Sequence, residues 1–196
     1  MSNHLIQIVD AALASATARS GAHLVCRPGC SQCCIGVFPI AHEDAARLRE
    51  GLEVLIQADP AKAARIRTRV NDSLTRLDPW FPGDLHTGIL NEDHEAAILF
   101  EEFANDEPCP VLDLEHGTCD LYEYRPILCR TFGPPMRTAE DNLATCELCY
   151  IHASTEEIAD CELDPTIPAQ EEGSNEAYNT AHSLHGETLI AYALRP

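Results

Sequence analysis

The sequence predicts a small, irregular, mainly α-helical domain. Its 196 residues and its hydrophobic content of 45 % suit a globular chain with a core of ordinary size. Apolar residues recur at helical spacing in several segments, and residues that favour helix starts and stops flank those segments. The stretches between them contain Pro, Gly and clustered Cys, which is typical of loops.

Three helices are expected in the first part of the chain: one whose apolar positions run from Leu5 to Ala16, one over about residues 41–58 and one from Pro60 to about Leu77. Ser2 or Asn3 can cap the first helix, and Gly21 supplies its stop. The third helix begins with Asp59-Pro60, in which the aspartate is the cap and the proline takes the first helical position.

The segments that follow are less regular. Trp80 and its neighbour Phe81 are expected to plug the core. Residues 96–103 fit a short helix or a strand equally well. Pro126 can open a short helix that places Cys129 near its first turn, where the helix N-terminal amides favour a thiolate.

The ten cysteines are distributed unevenly. Cys26, Cys30, Cys33 and Cys34 form the pattern C-x3-C-x2-C-C within nine consecutive residues. Later cysteines stand at positions 109, 119, 129, 146 and 149, the last two spaced as C-x2-C. Thiols packed this closely serve either as disulfide staples or as ligands of a soft metal.

The cellular compartment expected from the sequence favours metal ligands over disulfides as the role of these thiols. The N-terminal residues lack the charged start and the apolar run of a secretory signal peptide. No stretch approaches the roughly 18 apolar residues of a membrane span. We therefore expect a cytoplasmic protein, in which clustered thiols are more often metal ligands or catalytic groups than disulfides. A secreted, disulfide-rich chain is the alternative.

The charge balance excludes two classes of partner. The chain has 32 acidic and 13 basic residues and a formal net charge of −19. Nucleic acids and anionic membrane surfaces both require basic protein surface. We expect no nucleic acid and no membrane among the partners, and a neutral or basic protein where there is a macromolecular one.

Closely spaced thiolates repel one another, and a soft cation relieves that repulsion. The pairs Cys30-x2-Cys33 and Cys146-x2-Cys149 each let two sulfurs reach one ion. Two such pairs make a tetrahedral zinc site, and the same thiols can hold an iron–sulfur cluster. The spacing alone is consistent with a zinc site and with an iron–sulfur cluster.

Two arginines stand close to later cysteines. Four thiolates on Zn²⁺, or on a resting four-iron cluster, carry a charge of about −2. Arg125 and Arg130 can offset that charge from positions beside the ligands, so we predict that they bind the cofactor indirectly. The alternative is that both arginines form surface ion pairs with Glu123 or Asp120.

The combined motif resembles the YkgJ-type cysteine-cluster family. The pattern C-x3-C-x2-C-C is followed by Cys-Pro and then by C-x2-Y-x2-R-P-x2-C-R-x-F-G, and the resemblance spans about residues 22–150. The matching residues are Cys26, Cys30, Cys33, Cys34, Cys109, Pro110, Cys119, Tyr122, Arg125, Pro126, Cys129, Arg130, Phe132 and Gly133. The resemblance implies a zinc- or iron-chelating module, often labelled an iron–sulfur protein, whose members mostly have no assigned reaction.

Nine cysteines are predicted metal ligands. The first choices are Cys30, Cys33, Cys34, Cys109, Cys119 and Cys129, followed by Cys26, Cys146 and Cys149. Cys161 lies outside the family pattern and is expected to be a free thiol. The family label and the surplus of thiols favour an iron–sulfur cluster slightly over Zn²⁺, while the two C-x2-C pairs favour zinc. We expect the ligand sulfurs to converge even before an ion binds.

The predicted function is metal binding without an assigned reaction. One alternative is a cluster-dependent oxidoreductase or a methyltransferase-like enzyme, because a related motif occurs in an enzyme that methylates flagellin lysines. A second is an iron or zinc carrier or sensor. The predicted cysteine-cluster domain covers residues 1–152 with its N-terminal helix. An acidic extension, solvated and partly mobile over 154–176 and with a short helix near 187–194, covers 153–196.

Overall fold

The computed structural model of the protein describes residues 3–138 and 142–196. Helices dominate this part of the chain, which confirms the predicted mainly α-helical fold. None of the helices described there combines the length and the hydrophobicity needed to cross a bilayer. The helices are α1 (Asn3–Ser20), α2 (His42–Ala58), α3 (Pro60–Leu77), α4 (His94–Glu101), α5 (Ile127–Thr131), α6 (Thr155–Asp160), α7 (Ile167–His182) and α8 (Ile190–Ala193).

The strands are short and pair locally. They are β1 (Gly83–Asp84) with β2 (Ile89–Leu90), β3 (Leu112–Asp113) with β4 (Thr118–Cys119), and β5 (Met136–Arg137) with β6 (Leu143–Ala144), each pair antiparallel. Two-residue strands contribute little stability on their own. Their role here is to fix the geometry of loops between helices.

The chain forms two compact units, each assembled from two separate segments. The first unit contains Met1–Pro28 and Ile127–Glu176, and the second contains Gly29–Pro126 and Ala177–Pro196. The sequence-based division after residue 152 stays a prediction. Residues beyond it contribute to the cores of both units, through Ile167 in the first and Leu189 in the second.

The core of the second unit is built on α2, α3 and α8. Only Asp59 separates α2 from α3, and its Oδ1 accepts the backbone N–H of Lys62 at 2.9 Å, which caps α3 as predicted. The two helices pack against each other, and α8 contacts both. Leu48, Ile66 and Val70 are fully buried between them, so this packing is the main apolar support of the unit.

The core of the first unit forms where α1 packs against α5. Leu5, Val9 and Ala16 recur along one face of α1, as the sequence predicted, and all three are buried. Ile127 of α5 and Ile167 of α7 complete the same cluster. This core is smaller than that of the second unit.

The acidic stretch is more ordered than expected. It forms α6 and most of α7, and Leu163 between the two helices is buried. Ser154 and Glu157 form a capping box at the start of α6. That Ser-x-x-Glu spacing is a recognisable helix signal, so the helix was predictable from the residues.

Two other expectations are resolved by the structure. The ambiguous segment 96–103 is largely helical, because Asp93 caps α4 through the N–H of Ala96 at 2.9 Å. Phe81 is buried and its ring lies 4.1 Å from that of Tyr192, as expected of a core residue. Trp80 is not a core plug, since it is 79 % exposed.

Alanine substitutions at two helical glycines are predicted to change the free energy of unfolding in opposite directions. A Cβ on Gly51 of α2 would lie 2.6 Å from Cδ2 of Tyr124 and closer still to Cγ. We expect Gly51→Ala to lower the free energy of unfolding by about 1–3 kcal/mol, because overpacking outweighs the better helix propensity of alanine. Gly173 of α7 has open space around it. Gly173→Ala should therefore raise the free energy of unfolding by about 0.5–1 kcal/mol.

Urea unfolding of both variants beside the parent protein measures this difference. A higher urea midpoint for Gly51→Ala would contradict the packing described at Gly51, and a lower midpoint for Gly173→Ala would contradict the open space described at Gly173.

Candidate metal centre

All ten cysteines lie in the described residues, and all are free thiols. They divide equally between the two units. The second unit contains Cys30, Cys33, Cys34, Cys109 and Cys119, and the first contains Cys26, Cys129, Cys146, Cys149 and Cys161.

Backbone pairing brings distant cysteines of the second unit together. The N–H of Cys109 donates to the carbonyl of Cys34 at 2.8 Å, and the N–H of Gly36 donates to the carbonyl of Glu107 at 2.9 Å. Ile35, between these two bonds, forms an isolated antiparallel bridge with Pro108. The first cysteine run and the Cys-Pro segment therefore lie side by side, although more than 70 residues separate them in sequence.

The hairpin β3–β4 adds the next cysteine. Cys119 ends β4 and pairs in register with Leu112, whose N–H donates to the carbonyl of Cys109 at 2.9 Å. The turn of this hairpin packs on the first cysteine run, because a Cβ at Gly117 would lie only 2.7 Å from the carbonyl oxygen of Gly29. Gly117 also has a φ of +64°, so both space and backbone conformation require glycine there.

The surroundings of Cys33 lower the pKa of its thiol. A hydrogen bond with Cys34 is the chief cause that lowers its pKa to about 7. Burial acts against this shift, and the backbone N–H of Cys33 and the positive charge of Arg125 support it. Cys33 can thus serve as a thiolate at neutral pH.

The thiols of Cys109 and Cys119 are held in the neutral form. Burial raises the pKa of Cys109 to about 12, and burial also raises the pKa of Cys119. Hydrogen bonds from the backbone N–H groups that follow each cysteine act in the opposite direction. Negative charge on Cys33 raises both pKa values further, so ionisation of Cys33 opposes ionisation of the other two thiols.

Arg125 stands beside these thiols. It is buried, its Nη1 donates to the carbonyl of Tyr122 at 2.9 Å, and its Cζ lies 3.7 Å from the centroid of the Tyr122 ring. This cation–π contact holds the guanidinium in place. The charge of Arg125 lowers the pKa of Cys33 and of Cys119, so the arginine favours thiolates at this position.

Arg130 belongs to the first unit. It is only 2 % exposed, and its Nη1 contacts both carboxylate oxygens of Asp10, at 2.7 and 2.9 Å. Arg130 is therefore a buried residue whose ion-pair partner is Asp10, a carboxylate that is 47 % exposed. The carboxylate of Asp120 is bound by Lys62 at 3.0 Å and by Arg69 at 2.6 Å.

The first unit places three predicted ligands around the end of the family motif. A Cβ at Gly133 would lie 3.1 Å from Sγ of Cys26, and its φ is +123°. The carbonyl of Gly133 accepts the N–H of Cys146 at 3.5 Å. Cys149 then turns back, with its N–H bonded to the carbonyl of Cys146 at 2.9 Å. Glycine in the C-R-x-F-G run thus makes room for a cysteine sulfur.

Sequence reasoning missed Tyr150, which directly follows the second C-x2-C pair. Its hydroxyl hydrogen-bonds with Oγ of Ser20, its ring stacks on His23 with centroids 5.9 Å apart, and burial raises its pKa. Cys161 is buried in the same cluster as Tyr150. The helical spacing of Ser20 in α1 gave no signal of this contact, since it depends on tertiary packing.

The sulfurs do not converge on a ready-made site. Within residues 3–138 and 142–196, no three His, Cys, Asp or Glu side chains are arranged so that they could hold a metal ion. The expectation of convergence without an ion was therefore wrong. The donor chemistry still fits a soft cation, because Cys33, Cys109 and Cys119 are close enough to oppose one another's ionisation.

A protein-family model matches residues 25–150 of the chain. The matching model is CxxCxxCC, described as "Putative zinc- or iron-chelating domain". The chain belongs to the CxxCxxCC family. This confirms the family resemblance inferred from the motifs. No curated protein and no solved structure matches the chain.

The pKa values of this CxxCxxCC protein predict selective alkylation in its metal-free, reduced form. Thiolates are the reactive species, so the iodoacetamide reaction of Cys33 should rise with pH and reach half its limit near pH 7. Cys109 should remain unreacted up to about pH 9, since its pKa is about 12. Arg125→Gln should move the Cys33 midpoint to higher pH, and Cys34→Ala should move it further.

Peptide mass spectrometry at a series of pH values measures both cysteines in one sample. Arg69→Gln is the matched control, because that arginine binds Asp120 and does not contribute to the pKa shift of Cys33. An unchanged Cys33 midpoint in Arg125→Gln would contradict the assigned role of the guanidinium.

Proposed function

We propose that this protein binds zinc or an iron–sulfur cluster through cysteine thiolates of its second unit. The observation that carries the proposal is the collection of Cys33, Cys34, Cys109 and Cys119 by one backbone pairing and one hairpin. Cys30, at the start of the same loop, is a fifth proposed ligand. The family description supports chelation of zinc or iron and does not distinguish between them.

Arg125 is proposed to offset the negative charge of the bound thiolates. Its charge already favours the ionised forms of Cys33 and Cys119. For Arg130 we propose the same role toward thiols of the first unit, with Asp10 fixing its position. Cys26, Cys129, Cys146 and Cys149 are proposed ligands in that unit, since the family match includes all of them.

We favour an iron–sulfur cluster slightly over zinc. A structural zinc site uses four ligands, whereas the chain offers nine candidate thiols. When bound, the metal group would supply positive charge that ties the thiolates together, and a cluster would also accept an electron. The residues of the chain gather the sulfurs and favour ionisation of Cys33. We place the protein in the cytoplasm, where such thiols remain reduced.

A carrier or sensor of iron or zinc is the second candidate function. No preformed set of three ligands exists in the part of the chain that the structure describes, so binding requires the side chains to turn toward the ion. A site that must rearrange is suited to exchange of its metal. The net charge of −19 also attracts cations and basic partners, and it argues against nucleic acid as the partner.

Anaerobic purification followed by a visible spectrum and by iron, sulfide and zinc analysis of one sample tests the proposal. Broad absorption near roughly 400 nm with matched iron and sulfide is expected of a cluster, and stoichiometric zinc without colour of a zinc site. Cys33→Ser and Cys119→Ser should each weaken metal binding by at least about 10-fold. Loss of a residue that merely supports a ligand already costs about 10-fold or more in metal affinity, and loss of a ligand should cost no less. Arg125→Gln should weaken it by about 10-fold.

Cys161→Ser is the matched control, because Cys161 is buried but outside the family match. It should keep the full metal content. Loss of metal in Cys161→Ser to the same extent as in Cys33→Ser would indicate a folding defect, and circular dichroism of each variant identifies that case. Absence of both zinc and iron from the protein after anaerobic purification and reconstitution would refute the proposal.

A further inference from the structure

A groove of about 600 Å³ opens on the surface of the second unit. Trp80, at the end of the turn that follows α3, and Leu99 of α4 stand on its sides, and Phe103 lies in its floor. Trp80 is 79 % exposed and Leu99 is 58 % exposed, whereas Phe103 is buried. Two large apolar side chains thus face solvent around a single concavity, which is typical of an interaction site.

The floor of the groove is rigid. The ring centroid of Phe103 lies 5.9 Å from that of Phe100 and 6.3 Å from that of Phe81, so the three aromatic side chains pack together. Ala104 has a φ of +52°, and its carbonyl accepts the N–H of Glu107 at 3.1 Å, which turns the chain sharply behind the floor. A docking segment would meet a preformed surface and would not have to order it.

The rim of the groove is negatively charged. Glu102 and Asp106 line it and are exposed, and neither has an ion-pair partner among residues 3–138 and 142–196. The one cation of the lining, Arg76, forms two hydrogen bonds with the carboxylate of Glu107, at 2.8 and 2.7 Å. That pair is neutral overall, so the remaining charge of the groove is that of the two free carboxylates.

We propose that this groove docks a segment of a partner protein that presents an apolar side chain flanked by lysine or arginine. Trp80 and Leu99 supply the apolar contact, and tryptophan is among the residues that contribute most to protein interfaces. Glu102 and Asp106 supply the complementary charge. A second copy of the chain is a poor occupant, because it too has a charge of −19.

The groove continues directly into the cysteine region. Its wall includes Glu107 and Pro108, which precede Cys109. The carbonyl of Glu107 accepts the N–H of Gly36 in the same pairing that joins Cys109 to Cys34. A docked partner would therefore lie beside the candidate metal centre, where it is placed to give or receive the metal. This link to metal transfer rests on the proposed function, whereas the docking itself does not.

Trp80 is the only tryptophan of the chain and therefore reports on the groove directly. The probe is a synthetic amphipathic helical peptide of leucine and lysine, with a scrambled peptide of the same composition as its control. Binding should shift the Trp80 emission to shorter wavelength and protect it from acrylamide quenching. The amphipathic peptide should bind at least about 10-fold more tightly than the scrambled one, which corresponds to about 1.4 kcal/mol.

Variants of α4 separate the groove from general attraction by an acidic protein. Leu99→Ala should weaken binding of the peptide by at least about 10-fold. Ile98→Ala is the matched control, because Ile98 is 53 % exposed on the same helix but does not line the groove. It should leave the affinity unchanged. The double change Glu102→Gln and Asp106→Asn should weaken binding and reduce its dependence on salt.

Three results would overturn the proposal: peptide binding without any change in Trp80 emission, equal losses in Leu99→Ala and Ile98→Ala, or an emission shift on raising the protein concentration alone with a dimer in sedimentation. The last result would assign the groove to a second copy. Metal analysis of the same samples distinguishes failure of the docking proposal from failure of the metal-binding proposal. Absence of docking in a protein with full metal content refutes only the docking surface.

Discussion

The pairing of the first cysteine run with residues 107–109 is the interaction on which the candidate centre depends. Two backbone hydrogen bonds, from Cys109 to Cys34 and from Gly36 to Glu107, fix the two segments in register. The hairpin β3–β4 follows directly and carries Cys119 to the same place. A shift of this register by one residue would turn alternate side chains to the opposite face and would separate the sulfurs.

Gathering these thiols has an electrostatic cost that the protein offsets only in part. Burial and mutual repulsion hold Cys109 and Cys119 in the neutral form, while the hydrogen bond from Cys34 and the charge of Arg125 allow Cys33 to ionise near neutral pH. A soft cation would remove the remaining cost, because it stabilises every thiolate at once. Under the proposed function, metal binding and the final arrangement of these loops are therefore coupled.

Local signals made α1, α2 and α3 predictable, and Asp59 shows why: one residue supplies both a cap and the break between two periodic segments. The helix α7 was missed because its sequence is polar and acidic and only Ile167 is buried along it. The exposure of Trp80 was also missed, since an aromatic residue beside Phe81 resembles a core pair in sequence. The candidate ligands were found from spacing, but their equal division between two units depends on tertiary contacts that spacing does not encode.

The protein uses several of its few basic residues in internal ion pairs. Arg69 and Lys62 bind Asp120, Arg76 binds Glu107, and Arg130 binds Asp10. Asp120 and Glu107 are buried carboxylates, and in the third pair the buried member is Arg130 itself, so in each case an unpaired buried charge would be costly. Nine basic residues then remain against the other 29 acidic residues of the chain. The resulting negative potential raises the local concentration of cations and of basic protein segments, and salt would screen this effect. The acidic surface therefore follows from the excess of acidic over basic residues, which the few internal ion pairs leave almost unchanged. Under the two proposals made above, it would favour metal ions and a basic docking partner alike.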